Sequence, residues 1–288
     1  MKWRIPAKTF LLGEYAAVAE ESAIVLNTSP YFELALIDAE CDDSSSIHPE
    51  SPAGLLWQQK CIPGKKLSWY DPYRGCGGLG ASSAQFLATY WASCALHQEP
   101  ISVEHMLELY YRCSWSGVGL KPSGYDVIAQ TQQGCVYINK KKQLIHTYDW
   151  SFPDLSFFLL HTGNKLATHH HLQQSTLPSQ TNELSIVVDE AKQAFEQHNS
   201  QVLIDCINKY HQQLNKLHLV ASSSLELIQQ FSAFPEVLAI KGCGALGADV
   251  LLIITARSDA LLFQEQLLAS DKRILATEAD LTNSKNNQ

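Results

Sequence analysis

No apolar run in this sequence reaches the roughly 20 residues that a membrane-spanning helix needs. The opening residues, MKWRIPAKTF, also lack the uninterrupted apolar stretch of a secretory signal peptide. We therefore expect a cytoplasmic protein that makes no contact with a membrane.

Positive charge is scarce as well. The 288 residues include 21 Lys and Arg against 29 Asp and Glu, which gives a formal net charge of −8. A nucleic-acid surface needs an excess of basic residues, because contacts to phosphate dominate its affinity. The deficit argues against a nucleic-acid partner and confines any anion site to a local basic pocket. The expected partner is a small-molecule substrate, bound by a monomer or a homodimer.

Signals for disulfides and metal centres are weak. The eight cysteines form no C-x-x-C pair and are scattered over positions 41, 61, 76, 94, 113, 135, 206 and 243. In a chain of this length that pattern indicates reduced thiols of a cytosolic protein. The tract Thr168–Leu172 (THHHL) contains consecutive histidines, but neighbouring residues point in different directions, so we expect no shared metal ion there.

The sequence does contain a glycine-rich stretch, Gly75–Ala84 (GCGGLGASSA), that leads into a helical pattern. Apolar residues from Phe86 to Ala95 recur with the spacing of one helix face. A glycine-rich loop that opens a helix brings bare N–H groups and the positive end of the helix dipole together, which suits a phosphate group. The alternative is a plain turn in which Ser82 or Ser83 caps the helix.

Two further segments resemble known motifs. The N-terminal segment reads WRIPAKTFLLGEYAAV, and a later segment reads KGCGALGADV. Together with Gly78–Ala84 they resemble, in order and spacing, the three motifs of the GHMP kinase superfamily, named for galactokinase, homoserine kinase, mevalonate kinase and phosphomevalonate kinase. Leu246 and Ala248 stand where the family prefers glycine. The matching positions of the two outer motifs are Pro6, Lys8, Leu11, Gly13, Glu14, Tyr15, Val18, Lys241, Gly244, Ala245, Gly247 and Asp249.

The resemblance implies an α+β fold of two domains. The first, over residues 1–150, would be ribosomal-protein-S5-like, and the second, over residues 151–288, ferredoxin-like. The residue patterns predict strands at 2–12, 31–37, 155–161, 237–241, 249–255 and 273–277, and helices at 82–97, 102–114, 182–198, 201–217, 222–231 and 260–269. We expect the polar segment 40–52 to be a surface loop and the end of the chain, residues 282–288, to be frayed.

The segment Leu120–Ile138 (LKPSGYDVIAQTQQGCVYI) resembles the family's P-S-G-x-D segment. The resemblance makes Asp126 the expected general base, because a carboxylate near a substrate hydroxyl can accept its proton as the new P–O bond forms. An Asx turn after Gly124 is the structural alternative. Lys8 is the expected catalytic companion. Its charge lies in an apolar strand and needs a partner, which Asp126 and the transferring phosphoryl group would supply.

ATP and Mg²⁺ are the cofactors that the resemblance implies. Ser82 is expected to bind Mg²⁺ through its hydroxyl, since Mg²⁺ prefers oxygen ligands, and the additional Ala81 leaves Ser83 as an alternative. The metal-binding glutamate of mevalonate kinases has no clear match, because its place falls near Trp115. The expected nucleotide-binding residues are Gly77, Gly78, Leu79, Gly80, Ala81, Ser82 and Ser83.

For the acceptor, the forms G-E-Y and S-G-Y-D-V resemble the phosphomevalonate kinase branch. The implied reaction transfers the γ-phosphoryl group of ATP to phosphomevalonate, in isoprenoid precursor synthesis. Lys165 and Thr168 match a T-G-x-K-x-x-T segment of mevalonate-type kinases, with a polar surface loop as the alternative. The expected substrate-binding residues are Glu14, Tyr15, Lys121, Ser123, Gly124, Lys165, Thr168 and Gly244.

Other functions stay open at this point. One is mevalonate kinase or another metabolite kinase of the superfamily. A second is a family member that binds its ligand without turnover, which the departures at Leu246 and Ala248 keep open. A third, a partner-binding protein, leaves Lys8 and Asp126 unexplained. The stretch Leu109–Arg112 (LYYR) is typical of a core, and no role is assigned to it.

Overall fold

The computed structural model describes residues 1–39, 46–163, 181–270 and 272–283. In these ranges an antiparallel five-stranded sheet is followed by an antiparallel four-stranded sheet, and helices pack against both. The α+β prediction is therefore confirmed. None of the helices in these ranges is long and apolar enough to cross a bilayer.

The first sheet is organised around its second strand. Its strands are β1 (Lys2–Leu12), β2 (Ala23–Asp38), β3 (Lys65–Tyr70), β4 (Cys135–Asn139) and β5 (Leu144–Tyr148). The long β2 pairs with β1 along most of its length, with β4 through its first residues and with β3 through its last. β1 is buried almost without interruption from Ile5 onward, so a lysine in it is enclosed by the protein.

Four helices accompany this sheet: α1 (Pro52–Lys60), α2 (Ala81–His97), α3 (Val103–Ser114) and α4 (Tyr125–Gln130). Both α2 and α4 pack against β1. The glycine loop enters α2 and the P-S-G-Y-D loop enters α4, so this packing places the starts of both helices beside the same strand.

The second sheet consists of β6 (Leu155–His161), β7 (Val237–Cys243), β8 (Val250–Ala256) and β9 (Ile274–Thr277) in the order β7-β8-β6-β9. Its helices are α5 (Thr181–Gln197), α6 (Ser200–Lys216), α7 (Ser222–Phe231) and α8 (Ala260–Ala269). A strand, a helical region, two strands, a helix and a last strand, paired in this order, form the ferredoxin-like arrangement.

The two sheets share a hydrophobic core. One cluster of buried side chains includes Leu11 on β1, Tyr210 on α6 and Leu252 on β8. The boundary predicted near residue 150 falls between β5 and β6, where the chain passes from one sheet to the other. The division into domains 1–150 and 151–288 stays a prediction.

Most predicted helices and strands are present within a residue or two, but the strand predicted at 31–37 begins eight residues earlier, at Ala23, because the buried apolar residues 23–26 pair with β4. Two polar segments also differ from the prediction. The segment expected to be a loop up to residue 52 instead has Pro52 as the first residue of α1, because the Ser51 hydroxyl accepts a hydrogen bond from Gly54 N (3.1 Å) and caps the helix. Thr282, expected to be frayed, is buried and accepts a hydrogen bond from Gly134 N at 2.9 Å.

Candidate active site

The glycine loop ends at an uncapped helix N-terminus. Gly80 is the residue before α2, its φ is 75°, and no side chain caps the helix. The N–H groups in the first turn of a helix have no acceptor within the helix and carry the positive end of its dipole. The start of this 17-residue helix therefore has the character of an anion site.

Two glycines of the loop lie too close to other segments to carry a side chain. A Cβ added at Gly80 would be 2.7 Å from Lys8 Cγ, and one added at Gly78 would be 2.6 Å from Val250 Cγ2. Both glycines also have positive φ values. Lys8 N donates a hydrogen bond to Leu79 O at 3.0 Å, which joins the loop to β1. The loop is thus held between the first strand and the start of β8.

Lys8 and Asp126 meet beside this loop. Lys8 Nζ lies 3.2 Å from Asp126 Oδ2, and the two side chains are 10% and 30% exposed. Asp126 is in the first turn of α4, and the Lys8 ammonium also lies 4.8 Å from the centre of the Phe10 ring. The structure therefore brings the two predicted catalytic side chains into contact, with the carboxylate still open to solvent on one side.

The two serines after the loop differ in their surroundings. Ser83 is buried, and its hydroxyl donates to Gly80 O at 2.9 Å. Ser82 is exposed at the start of α2. Because Ser83 is buried and Ser82 is exposed, Ser82 is the more accessible of the two to a metal ion.

The P-S-G-Y-D loop is built around a glycine. Gly124 has φ 75°, and an added Cβ would be 2.7 Å from Tyr111 Oη. The Ser123 carbonyl accepts a hydrogen bond from the Tyr111 hydroxyl at 2.9 Å. Lys121 is exposed, and its ammonium lies 3.7 Å from the centre of the Tyr111 ring. The loop that carries Asp126 is thus packed against α3.

Glu14 and Tyr15 face the third motif. Glu14 Oε1 lies 2.5 Å from Lys241 Nζ, with the two side chains 7% and 0% exposed. Burial raises the pKa of Glu14, and Lys241 offsets this only in part. Burial also raises the pKa of Tyr15 to about 12, and its hydroxyl accepts a hydrogen bond from Leu246 N at 3.1 Å. The substrate-binding role expected of Glu14 and Tyr15 stays a prediction, and both polar groups already bind within the protein.

The third motif forms a tight turn between β7 and β8. Gly244 has φ 90°, and a Cβ there would be 2.8 Å from Asp249 Oδ2. Of the two departures from the family pattern, Leu246 has φ 51°, whereas Ala248 has φ −86°. Only the leucine therefore adopts a backbone conformation that favours glycine.

Gln130 and Arg273 both contact the glycine loop and were not among the expected site residues. Gln130 is buried on α4, and its side-chain amide donates to Pro6 O (2.8 Å) and Gly80 O (3.2 Å), so it joins β1 to the glycine loop. Its position four residues after Asp126 on the same helix face could have indicated it. Arg273 donates to Cys76 Sγ at 3.2 Å, and nothing in the sequence suggests that pairing.

Several expected residues cannot be placed. Lys165, Thr168 and the histidine tract lie outside the residues that the structure describes. Across the described ranges, no three His, Cys, Asp or Glu side chains form a group that could hold a metal ion.

Comparison with known proteins identifies the fold. No protein-family model and no curated protein matches the sequence. Solved structures do match over nearly the whole chain. The Methanococcus jannaschii mevalonate kinase is 16% identical, covers 98% of each chain and has a TM-score of 0.74. The Streptococcus pneumoniae phosphomevalonate kinase in complex with phosphomevalonate and AMPPNP is 15% identical, covers 96% of this chain and 99% of its own, and has a TM-score of 0.74.

A third solved structure matches with similar identity, coverage and TM-score. The L. major mevalonate kinase in complex with R-mevalonate is 20% identical, covers 99% of this chain and 96% of its own, and has a TM-score of 0.70. At these identities the likeness is one of fold, and it extends over both sheets. The chain has the GHMP kinase fold that its motifs predict.

Proposed function

We propose that this protein is a kinase that transfers the γ-phosphoryl group of ATP to a hydroxyl group of a small acid. The observation that carries the proposal is the Lys8–Asp126 ion pair, 3.2 Å long, directly beside an uncapped helix N-terminus. A phosphate site, a cation and a carboxylate that can accept the hydroxyl proton are groups that recur in enzymes of phosphoryl transfer.

The nucleotide phosphates would bind to the backbone N–H groups of the loop from Gly77 to Ser83. The missing Cβ atoms at Gly78 and Gly80 support this assignment, since they let the loop lie directly against Val250 and against Lys8, the expected catalytic cation. The phosphomevalonate kinase of similar fold was solved with AMPPNP. Ser82 would contribute a hydroxyl ligand to Mg²⁺, which otherwise keeps phosphate and water ligands and neutralises phosphate charge.

The chemical step follows from the ion pair. The acceptor oxygen attacks the γ-phosphorus atom, and its proton passes to Asp126 as the P–O bond forms. The bond to the bridging oxygen breaks, and ADP leaves. Lys8 is nearly buried and fixed on β1, so its charge is preorganised to stabilise the negative charge that develops on the transferring group.

We further propose phosphomevalonate as the acceptor, on the sequence forms G-E-Y and S-G-Y-D-V. An acid that carries a phosphate and a carboxylate needs cations near Asp126, and Lys121 on the same loop is exposed. Mevalonate is the second candidate, since the mevalonate and phosphomevalonate kinase structures match this fold with the same TM-score of 0.74. Lys165 and Thr168 stay proposed as acceptor ligands, and the cytoplasmic location stays a prediction.

The test is turnover on a panel of acceptors. Purified protein with ATP and Mg²⁺ is incubated with phosphomevalonate, mevalonate, homoserine or galactose, and ADP and the phosphorylated product are both measured. We expect product from phosphomevalonate at the highest kcat/KM. Preference for an uncharged sugar would contradict a mevalonate-pathway acceptor. Tight ATP binding without product from any acceptor would instead favour the ligand-binding alternative.

A further inference from the structure

Tyr111, on α3, contacts the Asp126 loop in two ways. Its hydroxyl donates to Ser123 O at 2.9 Å and accepts a hydrogen bond from Lys140 Nζ, also at 2.9 Å. Its ring face carries the ammonium of Lys121, 3.7 Å from the ring centre. One half-buried side chain therefore binds the loop backbone and also the loop's exposed cation.

Lys140 completes the hydrogen bonding. Its ammonium donates to Glu20 Oε1 at 2.6 Å and to Ser123 O at 3.2 Å, in addition to the Tyr111 hydroxyl. Burial by itself would lower the pKa of Lys140, but hydrogen bonds to Glu20 and Tyr111 raise it above its ordinary value. Lys140 is therefore charged and its donors are used, so its role here is to hold Ser123 and Tyr111 together.

Lys121 differs from Lys140 in its partners. Among the described residues no carboxylate forms an ion pair with Lys121, and its ammonium lies 3.7 Å from the centre of the Tyr111 ring. A cation on an aromatic face keeps its hydrogen-bond donors available to an anionic ligand. The ammonium is thereby held beside the loop that carries Asp126.

The glycine of the loop shows how close this contact is. A Cβ at Gly124 would be 2.7 Å from Tyr111 Oη and 2.9 Å from Leu107 Cδ2. Gly124 precedes α4, whose first turn contains Asp126. Tyr125, the first residue of α4, is also held in place, because its hydroxyl donates a hydrogen bond to Glu21 O at 2.7 Å. Tyr111 is therefore in close contact with a residue only two positions before the Asp126 carboxylate.

We propose that Tyr111 is a positioning residue with two separable roles. Its hydroxyl fixes the backbone of Ser123 and thereby the placement of Asp126, and its ring holds Lys121 where the ammonium binds the carboxylate or phosphate of the acceptor. This inference rests on the proposed kinase function and assigns a role to a tyrosine whose sequence context indicated only core.

Two substitutions separate the roles. Tyr111→Phe removes the hydroxyl and keeps the ring, and Tyr111→Leu removes both. We expect Tyr111→Phe to lower kcat roughly 10- to 100-fold, the effect of a small misplacement of a reacting group, with the acceptor KM nearly unchanged. Tyr111→Leu should in addition raise the acceptor KM about two- to fivefold, through the lost cation–π contact. The matched control is Tyr148→Phe, whose hydroxyl binds Glu196 on the surface.

A second pair of measurements separates positioning from general loss of structure. Lys140→Met should resemble Tyr111→Phe, and the double variant should be little worse than either single one, because both residues hold the same carbonyl. If Tyr111→Leu does not fold, Tyr111→Met, which keeps a long apolar side chain without an aromatic face, tests the same contact through the acceptor KM. Lys121→Met tests separately whether the ammonium itself binds the acceptor.

Amide hydrogen exchange of residues 123–126 provides a readout that needs no turnover. Faster exchange there in Tyr111→Phe, with unchanged exchange in Tyr148→Phe, is expected even if no acceptor is phosphorylated. An inactive wild-type protein would thus overturn the proposed function. The amide hydrogen exchange of residues 123–126 would still test whether the Tyr111 hydroxyl fixes the loop. A Tyr111→Phe variant with wild-type kcat and wild-type exchange would overturn this inference. An acceptor KM equal in the Phe and Leu variants would overturn the role of the ring.

Discussion

Two lysine–carboxylate pairs in this molecule differ chiefly in their exposure. Lys8 and Asp126 meet at 3.2 Å with the carboxylate 30% exposed, whereas Lys241 and Glu14 meet at 2.5 Å with the side chains 0% and 7% exposed. A carboxylate that reaches solvent can exchange its partner for a substrate hydroxyl. A fully enclosed pair joins two parts of the fold and is costly to break. Charged residues within family motifs therefore have different roles according to their burial.

The largest effect on turnover is expected at the partly exposed pair of Lys8 and Asp126, which we call the open pair. Asp126→Asn keeps the shape of the side chain but cannot accept a proton, so turnover should fall roughly 10²- to 10⁴-fold. Stability and ATP affinity should change little. The control Asp205→Asn makes the same change on the exposed face of α6, where the Asp205 carboxylate accepts a hydrogen bond from the Gln201 side chain at 3.0 Å. Retention of most of the turnover by a folded Asp126→Asn variant would require another base.

At the enclosed pair of Lys241 and Glu14, which we call the closed pair, a substitution should chiefly reduce the stability of the protein. Lys241→Met leaves Glu14 buried without its cation, which should cost about 3–5 kcal/mol of unfolding free energy. Lys8→Met should cost far less stability and much more turnover. Urea unfolding and kcat of both variants would test the contrast, and equal losses of stability would contradict it.

The closed pair also predicts a pH dependence. The pKa of Glu14 is already raised by burial in the intact protein. Without Lys241 the folded protein should hold a proton on Glu14 that the unfolded chain releases, so raising the pH above the ordinary carboxyl pKa should destabilise Lys241→Met further. The stability difference from wild type should accordingly shrink at acid pH.

The glycine loop should be sensitive at Gly80 because of its contact with Lys8. Gly80→Val places a side chain within 3 Å of the lysine methylene groups, and overpacking of this kind costs about 1–3 kcal/mol. ATP binding and turnover should both fall. Gly64→Val is the control, since Gly64 also has a positive φ of 77° but nothing lies within 4 Å of its added Cβ. Equal ATP affinity in the two variants would show that the glycine loop does not bind ATP.

The smallest effects are expected in the third motif. Leu246→Gly relieves a left-handed leucine and should stabilise the protein by up to about 1 kcal/mol. Ala248→Gly, at φ −86°, relieves no such strain and should destabilise it by about 0.5–1 kcal/mol. Thermal unfolding of the two variants would compare them, and shifts of the same sign would contradict the assignment of strain to Leu246 alone.

Local patterns predicted much of the fold. β1, β6 and α7 begin and end at the expected residues, because apolar runs and helical spacing are properties of consecutive residues. β5 has no such pattern, because its residues Leu144–Thr147 are all exposed, and only its pairing with β4 defines it. α4, which begins directly after Gly124, was not among the predicted helices, because its six residues are too few to show a helical repeat.

By itself the sequence determined the motifs, their order and the chemistry that each contains: a glycine loop before a helix, a lysine in an apolar strand and an aspartate after glycine. Tertiary structure alone decided which charges meet and which stay accessible. Glu14 and Lys241 are 227 residues apart, and nothing local distinguishes this enclosed pair from the open Lys8–Asp126 pair. The strength and use of an ion pair depend on solvent exposure, which is set by how the strands and helices pack.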